Sequence, residues 1–230
     1  MFSDSFFEAL GAWQRGWRED QAERIKRAKN LLREADSLPT QFRTVSAPCF
    51  RKRFLYIGDF SRLLAPDGFV PDGIASWTLD ADFADTFKGV EREGAVTAAI
   101  FRCEPDMDEV VVSIPALWAS EEFRRAAEDY RVRNGVEAEA IWKIASRQHE
   151  VVLNRNARCL EIVAFSGRSS PFEELCAAAG VPPEDYDAAW KLLIDLGKQP
   201  EAPRYVRAEQ VRRILERVQA KIESLQANVP

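Results

Sequence analysis

The sequence has little histidine and cysteine, and this limits the metal sites that it can build. One histidine, His149, is present, and the four cysteines, Cys49, Cys103, Cys159 and Cys176, form no C-x-x-C pair. A structural zinc site needs four such ligands at short spacings, so the sequence predicts no metal site. We expect the cysteines to be buried free thiols, in a protein of the reducing cytoplasm.

Long hydrophobic runs and the glycine motifs of common nucleotide sites are also missing. No apolar run approaches the ~18 residues that span a bilayer, and Met1 to Asp4 lack the basic region of a secretory signal. Neither G-x-G-x-x-G nor G-x-x-x-x-G-K-[S/T] occurs, so neither a Rossmann site nor a P-loop is indicated. The formal net charge of -5 gives no electrostatic footprint for duplex nucleic acid. We therefore expect neither a membrane nor duplex nucleic acid as a partner.

The composition is that of a globular protein, and the hydrophobic pattern changes twice along the chain. Of the 230 residues, 46% are hydrophobic and 30% are charged. Residues 1–42 have helical spacing, residues 43–168 have short strand-like runs with two helices among them, and residues 169–230 are helical again. The sequence thus predicts an α+β protein with helical segments on both sides of a β-rich core.

Both terminal segments carry apolar stripes. In the first, apolar residues recur at steps of four, three and four positions: Phe6, Leu10, Trp13 and Trp17. In the last, the stripe is Val211, Ile214, Leu215, Val218, Ile222 and Leu225. Such a stripe needs a partner surface, either the body of this protein or another chain, and we favour the body of this protein. A helix-mediated partner or self-association through residues 205–226 stays open.

The middle segment supplies the predicted strands. We expect strands at 54–57, 95–101 and 109–114, and a further pair formed by 151–153 and 160–165. Asp80 and Ser120 are placed to cap the two helices. The basic cluster Arg51-Lys52-Arg53 is interpreted as a solvated strand edge.

Two short motifs in this segment carry polar side chains. Gln148-His149-Glu150 runs directly into Val151-Val152-Leu153, so Gln148 and Glu150 are predicted to project from one face of a strand, with His149 pointing away. Upstream, Ser76-Trp77-Thr78 precedes the short helix that Asp80 caps.

Together these motifs resemble the Ser-Thr-Ser and Gln-x-Glu elements of ADP-ribosyltransferases. The order of strand, hydroxyl motif, two further strands, helix and Gln-x-Glu is that of the family, and the resemblance covers roughly residues 45–168. It implies a two-sheet ADP-ribosyltransferase-like β core with flanking helices. It also implies transfer of ADP-ribose from NAD to a protein acceptor, with release of nicotinamide. Hydrolysis of NAD is a close variant, and a toxin-like protein, a self-modifying regulator and a phage effector all fit.

The resemblance also implies roles for individual residues. Glu150 would stabilise the oxocarbenium ion, Ser76 would orient Glu150 through a hydrogen bond, and Gln148 would contact the acceptor as in asparagine-modifying members. The residues expected to bind NAD are Ser76, Trp77, Thr78 and Arg53. The segment from Tyr130 to Arg147 would correspond to the acceptor-recognition loop, with Trp142 as the aromatic that meets a protein substrate.

The chain departs from the family at the arginine that usually ends the first strand and binds NAD. Tyr56-Ile57-Gly58 stands at the matching place, and Arg51, Arg53 and Arg62 are the alternatives. This departure leaves two hypotheses open. One is a divergent active enzyme; the other is a degenerate, non-catalytic interaction module of the same fold.

Overall fold

The computed structural model describes residues 2–16, 20–65, 67–88, 92–144, 149–166, 172–197 and 205–227. The helices are α1 (Asp4–Gln14), α2 (Gln21–Ala35), α3 (Ile57–Leu63), α4 (Ala81–Thr86), α5 (Ile114–Ala119), α6 (Glu121–Asn134), α7 (Glu139–Ile144), α8 (Phe172–Ala178), α9 (Tyr186–Asp195) and α10 (Ala208–Ala227). The strands are β1 (Cys49–Leu55), β2 (Phe69–Val70), β3 (Ile74–Thr78), β4 (Thr97–Cys103), β5 (Val110–Ser113), β6 (Glu150–Asn154), β7 (Ala157–Arg158), β8 (Ile162–Ser166) and β9 (Tyr205–Arg207). The α+β prediction is confirmed.

A seven-stranded antiparallel sheet organises the molecule, in the order β5-β6-β3-β1-β4-β8-β9, and β2 and β7 form a small second sheet. Neighbouring strands in the large sheet mostly share several facing residues. Within the described residues, β1 and β3 are joined at a single pair, Phe50 and Thr78. The sheet is therefore continuous but nearly divided between β3 and β1.

Each face of the sheet packs on its own hydrophobic core. On one face, α1, α2 and α5–α7 bury an aromatic cluster that includes Phe6, Phe7, Phe123 and Tyr130. The other face buries Trp77, Phe101 and Phe165 together with Val211 and Leu215 of α10. The intramolecular partner favoured for the C-terminal stripe is thus confirmed at Val211 and Leu215, whereas Ile214 is 40% exposed.

Local polar residues set the helix starts as the sequence predicts. The Asp80 side chain accepts hydrogen bonds from the backbone N–H groups of Asp82 and Phe83, and Ser120 accepts one from Phe123. The helix α1 begins in the same way at Ser3, and α2 begins at Asp20. These caps satisfy backbone donors that the first turn of a helix leaves unpaired.

The prediction that Arg51-Lys52-Arg53 forms a solvated strand edge is wrong. These residues lie in β1, a central strand paired with β3 and β4, and the exposed fraction of Lys52 is only 8%. Polar partners offset the cost of burying these charged side chains. Asp72 pairs with both arginines, and Lys52 donates to the carbonyl oxygen of Asp85.

Two strand predictions are also corrected. The predicted strand at 54–57 ends at Leu55, and α3 begins at Ile57. The runs at 151–153 and 160–165 do not pair with each other: β6 lies between β5 and β3, and β8 lies between β4 and β9. An apolar pattern indicates that a segment is a strand, but it does not identify the strand beside it. The prediction paired the two segments because they are adjacent in sequence, and that pairing is wrong.

In the part of the chain that the structure describes, no helix has the length and apolar character needed to cross a bilayer.

Candidate functional site

The polar residues of the two motifs meet where β3 and β6 run side by side. Thr78 faces Glu150 and Ser76 faces Val152 in the antiparallel register, so Ser76, Thr78 and Glu150 project from one face of the sheet. The Ser76 hydroxyl donates a hydrogen bond to Oε1 of Glu150, with the two oxygens 2.5 Å apart. The hydrogen bond expected between these residues is therefore present, although they are 74 positions apart in the chain.

A second donor to Glu150 comes from the N-terminal helix. The indole Nε1 of Trp13, on α1, donates to the same Oε1 over 3.0 Å. The neighbouring Gln14 amide helps to lower the pKa of Glu150, although both its polar atoms are shielded from solvent and make no hydrogen bond of good geometry with any residue that the structure describes. Sequence reasoning assigned Trp13 to an apolar helix face and had no signal for this contact.

The Glu150 carboxylate is buried, with 5% of the residue exposed. Burial raises its pKa above the ordinary value of 4.5 because the charged form loses its hydration. The hydrogen bonds from Ser76 and Trp13 act in the opposite direction, as does the charge of Arg51. Burial is the larger effect, so the pKa stays raised. The hydrogen bonds from Ser76 and Trp13 hold the carboxylate in place.

A cavity of about 40 Å³ adjoins Glu150 and Ser76. Aromatic rings form much of its wall: Phe50 from β1, and Phe83 and Phe87 from α4 and its end, whose rings lie 5.3 Å apart at 35°. Ser76, Thr78 and Glu150 supply the polar part of the wall. The cavity holds a few water molecules, whereas pockets for cofactor-sized ligands measure roughly 300–1,000 Å³. A larger ligand therefore requires the wall to move.

Among the described residues, two cations line this cavity, Arg51 and Lys52, and Lys52 is the one whose side chain lies on the cavity's face of the sheet. Because side chains alternate along β1, Lys52 lies on the same face as Phe50 and is directed to the side of the sheet that carries Ser76. Its Nζ donates to the carbonyl oxygen of Asp85 over 2.9 Å and to the hydroxyl of Tyr205 over 2.7 Å. Burial lowers the pKa of Lys52. Sequence reasoning considered the arginines on either side and missed this lysine.

Arg53 was predicted to bind NAD, and the structure places it away from the cavity. It lies on the opposite face of β1, where its guanidinium donates to the carbonyl oxygen of Pro71 over 3.0 Å and approaches Asp72 Oδ1 to 3.2 Å. Arg51 and Arg24 surround the same carboxylate, at 2.7 and 3.5 Å. Arg51 also donates to the carbonyl oxygen of Ser76 over 2.6 Å, which ties β1 to β3 where the two strands separate.

The strand predicted for Gln148-x-Glu150 begins only at Glu150. His149 has a φ of +42°, so the extended alternation on which the shared face of Gln148 and Glu150 was predicted does not include His149. Gln148 itself lies outside the described residues. The carbonyl oxygen of His149 accepts a hydrogen bond from the N–H of Leu79 over 3.1 Å, which holds the start of β6 against the end of β3.

Other predicted residues have structural partners. Thr78 is 6% exposed, and its hydroxyl accepts from the N–H of Asp80 over 3.0 Å. Trp77 borders the cavity, but its side chain is 2% exposed in the core on the opposite face. The described part of the predicted acceptor loop is largely helical, and Trp142 packs edge-on against Trp118, with 4.8 Å between ring centroids.

No protein-family model, curated protein or solved structure matches the chain. Inference about its function therefore rests on the residues themselves and on the geometry of this site.

Proposed function

We propose that the protein is an ADP-ribosyltransferase-like enzyme that cleaves NAD and transfers ADP-ribose to a protein side chain. The observation that carries the proposal is the buried Glu150 carboxylate, held by Ser76 and Trp13 beside an aromatic cavity. Ser76 and Glu150 belong to the two motifs on which the family resemblance rests. They are 74 positions apart in the chain and are joined by a hydrogen bond.

The chemistry needs only one carboxylate. The bond between C1′ of the ribose and the pyridinium nitrogen breaks, and its electron pair neutralises the pyridinium, so nicotinamide leaves without protonation. This differs from ordinary glycoside hydrolysis, where a second carboxyl group protonates the leaving oxygen. Glu150 stabilises the ribosyl oxocarbenium ion and accepts a hydrogen bond from a ribose hydroxyl. The acceptor's nucleophile then bonds to C1′ and releases its proton to solvent; water in its place gives hydrolysis.

The cavity wall suits the leaving group. Nicotinamide in NAD is a planar aromatic cation, and the ring faces of Phe83 and Phe87 favour such a group by stacking and by cation–π attraction. Since the cavity is only about 40 Å³, binding requires α4 to move outward from β1 and β3. That helix has six residues and is held at Asp85 by Lys52, Tyr205 and Arg207.

Lys52 is our candidate for the phosphate contact that the family assigns to a first-strand arginine. It lines the cavity together with Ser76 and Glu150, and two of the three N–H donors of its ammonium group are used in the hydrogen bonds described above. A lysine binds phosphate as a point charge rather than through the bidentate fork of arginine. We therefore expect weaker and less directional recognition of the NAD diphosphate.

The small size of the cavity favours a second candidate, the non-catalytic interaction module. A protein of this fold whose site did not widen would bind a partner without cleaving NAD.

Labelling with NAD tests transfer and separates the two candidates. The protein is incubated with NAD labelled on the adenylate half and a cell lysate as the source of acceptors, in parallel with Glu150→Gln. We expect labelled protein bands with the wild type and none with the variant. A wild type that transfers no label, releases no nicotinamide and shows no rise in Tm at millimolar NAD would favour the module.

A further inference from the structure

The N-terminal helix reaches the proposed reaction centre through one side chain. Trp13 is 2% exposed at the end of α1, and its indole N–H is directed at Oε1 of Glu150, 137 positions later in the chain. This helix lies outside residues 45–168, the part of the chain that carries the family resemblance. The contact therefore belongs to this chain's own architecture.

Two donors to Glu150 converge on the same oxygen. The hydroxyl of Ser76 and the indole of Trp13 bond to Oε1, whereas the nearby Gln14 amide also lowers the pKa of Glu150 but makes no hydrogen bond of good geometry within the described residues. An indole N–H can only donate, so the contact with Trp13 favours the ionised carboxylate. Two donors in different directions also fix the rotation of the carboxylate plane, which one donor does not.

Building on the proposed function, we infer that Trp13 is a positioning residue for NAD cleavage. Together with Ser76 it holds Oε1, so that Oε2 faces the nicotinamide ribose. Preorganised charge of this kind acts in the transition state because no reorientation is needed as the oxocarbenium ion forms. A carboxylate with one donor would spend part of its time turned away from the ribose.

The position of Trp13 is rigid. Phe6, Phe7 and Leu10 on the same helix are each no more than 1% exposed, which anchors α1 in the core. The guanidinium of Arg27, on α2, donates to the carbonyl oxygen of Ala12 over 2.8 Å and also to that of Gly16, which ties the end of α1 to α2.

Trp118 provides a control of the same residue type, partly buried and packed against the same core cluster. Its indole nitrogen is shielded from solvent and makes no hydrogen bond within the described residues. Replacing either tryptophan with phenylalanine makes the same change of side chain and removes one N–H. Only at Trp13 does the change remove a donor to Glu150.

The test compares nicotinamide release by the wild type, Trp13→Phe and Trp118→Phe across pH. A hydrogen bond to a charged group is worth about 1.5–3 kcal/mol, so we expect kcat to fall roughly 10- to 100-fold in Trp13→Phe with little change in KM. Its acid limb should move to higher pH, because losing a donor raises the pKa of Glu150 further. Trp118→Phe should keep the wild-type profile and a kcat within about threefold.

The outcomes separate this inference from the proposed function. A wild type that releases no nicotinamide overturns the function, and the role of Trp13 with it. An active wild type in which Trp13→Phe and Trp118→Phe behave alike overturns the role of Trp13 alone.

If Trp13→Phe does not fold, the wild type still decides the question by NMR. The indole proton of Trp13, assigned by its change in Glu150→Gln, should titrate together with the acid limb of nicotinamide release. An indole resonance that stays constant over that pH range would overturn the inference.

Discussion

At the scale of single residues, Glu150 must be charged for the proposed chemistry in a place that disfavours charge. Burial raises its pKa, and Ser76, Trp13 and Arg51 offset this only in part. A folded-state pKa above the unfolded value means that the favourable contribution of Glu150 to stability is present at low pH. It is lost as the pH rises through the raised pKa. The site thus sacrifices stability at neutral pH to keep a carboxylate where it is needed.

Replacing Glu150 by glutamine should therefore stabilise the protein at pH 8. The amide oxygen still accepts from Ser76 and Trp13, and no buried charge remains. We expect Tm to rise by about 2–4 °C, the effect of ~1 kcal/mol in a chain of this size. The gain should shrink as the pH falls below 4.5, the ordinary pKa of the group, because the wild-type carboxyl is then protonated in both the folded and the unfolded state. Thermal melts at several pH values measure this, and a Tm below that of the wild type at pH 8 would contradict it.

Lys52→Met tests the phosphate contact. The change removes one of the two cations that line the cavity and leaves Arg51, Glu150 and Ser76 in place. We expect KM for NAD to rise about tenfold, the effect of ~1.4 kcal/mol, with a smaller change in kcat. Lys191→Met is the matched control, since it removes the same charge from an exposed position on α9. Equal KM values for the two variants would exclude Lys52 as a phosphate ligand.

At the scale of elements, the junction of β1 and β3 depends on side chains as much as on the backbone. In the described part of the chain, the two strands share the single pair Phe50 and Thr78. Beside it, the Asp72 carboxylate, 1% exposed, sits among three guanidinium groups whose side chains are 16–19% exposed. Those guanidinium groups also donate to carbonyl oxygens of Pro71, Asp72, Ile74 and Ser76. One carboxylate thus connects α2, β1 and the segment that leads into β3.

Asp72→Asn should destabilise the protein strongly. It leaves three arginines close together without the carboxylate that they share, and breaking a buried ion pair from one side costs about 3–5 kcal/mol. Urea unfolding measures the loss. Glu104→Gln is the control, because its partner Arg102 and Glu104 itself are 41% and 71% exposed, and such pairs contribute at most ~1 kcal/mol. A loss below about 1 kcal/mol in Asp72→Asn would show that the cluster is not a structural tie.

Helix starts could be predicted from the sequence where a side chain accepts hydrogen bonds from backbone N–H groups two or three positions later. The caps at Asp80 and Ser120 were predictable for that reason. The placement of β1 was not. Three consecutive basic residues suggest a solvent-facing edge unless the counter-charge is known, and Asp72 lies about 20 positions away in sequence. No local pattern connects the two.

At the scale of the whole molecule, the helices at both ends are joined to the sheet by specific contacts. Trp13 of α1 contacts β6, Arg24 of α2 donates to the carbonyl oxygens of Asp72 and Ile74, and Tyr205 of β9 donates to Asp85 at α4. The amphipathic stripe predicted that α1 would pack somewhere. It could not specify which strand end the helix would meet, because docking depends on the shapes of two surfaces rather than on helical period.

The reactivity of two buried cysteines measures how well the core excludes solvent. Cys49 faces Cys103 across β1 and β4, and burial raises the pKa of their thiols to about 12 and about 11. Roughly one thiol in a thousand or fewer is ionised at pH 8. We expect a thiol reagent such as DTNB to modify Cys49 and Cys103 negligibly in the native protein and at once after unfolding. Rapid modification of the native protein would show that the sheet opens far more often than this packing implies.

The most direct test of the central claim is nicotinamide release from NAD by the wild type and by Glu150→Gln, with Glu104→Gln as a control for the same change at an exposed carboxylate. We predict release by the wild type and the control, and a rate of release at least about 100-fold lower in Glu150→Gln. A melting curve of Glu150→Gln checks that the variant is folded. No release by the wild type, with or without lysate as a source of acceptors, would contradict the account. Equal release by the wild type and Glu150→Gln would contradict it as well.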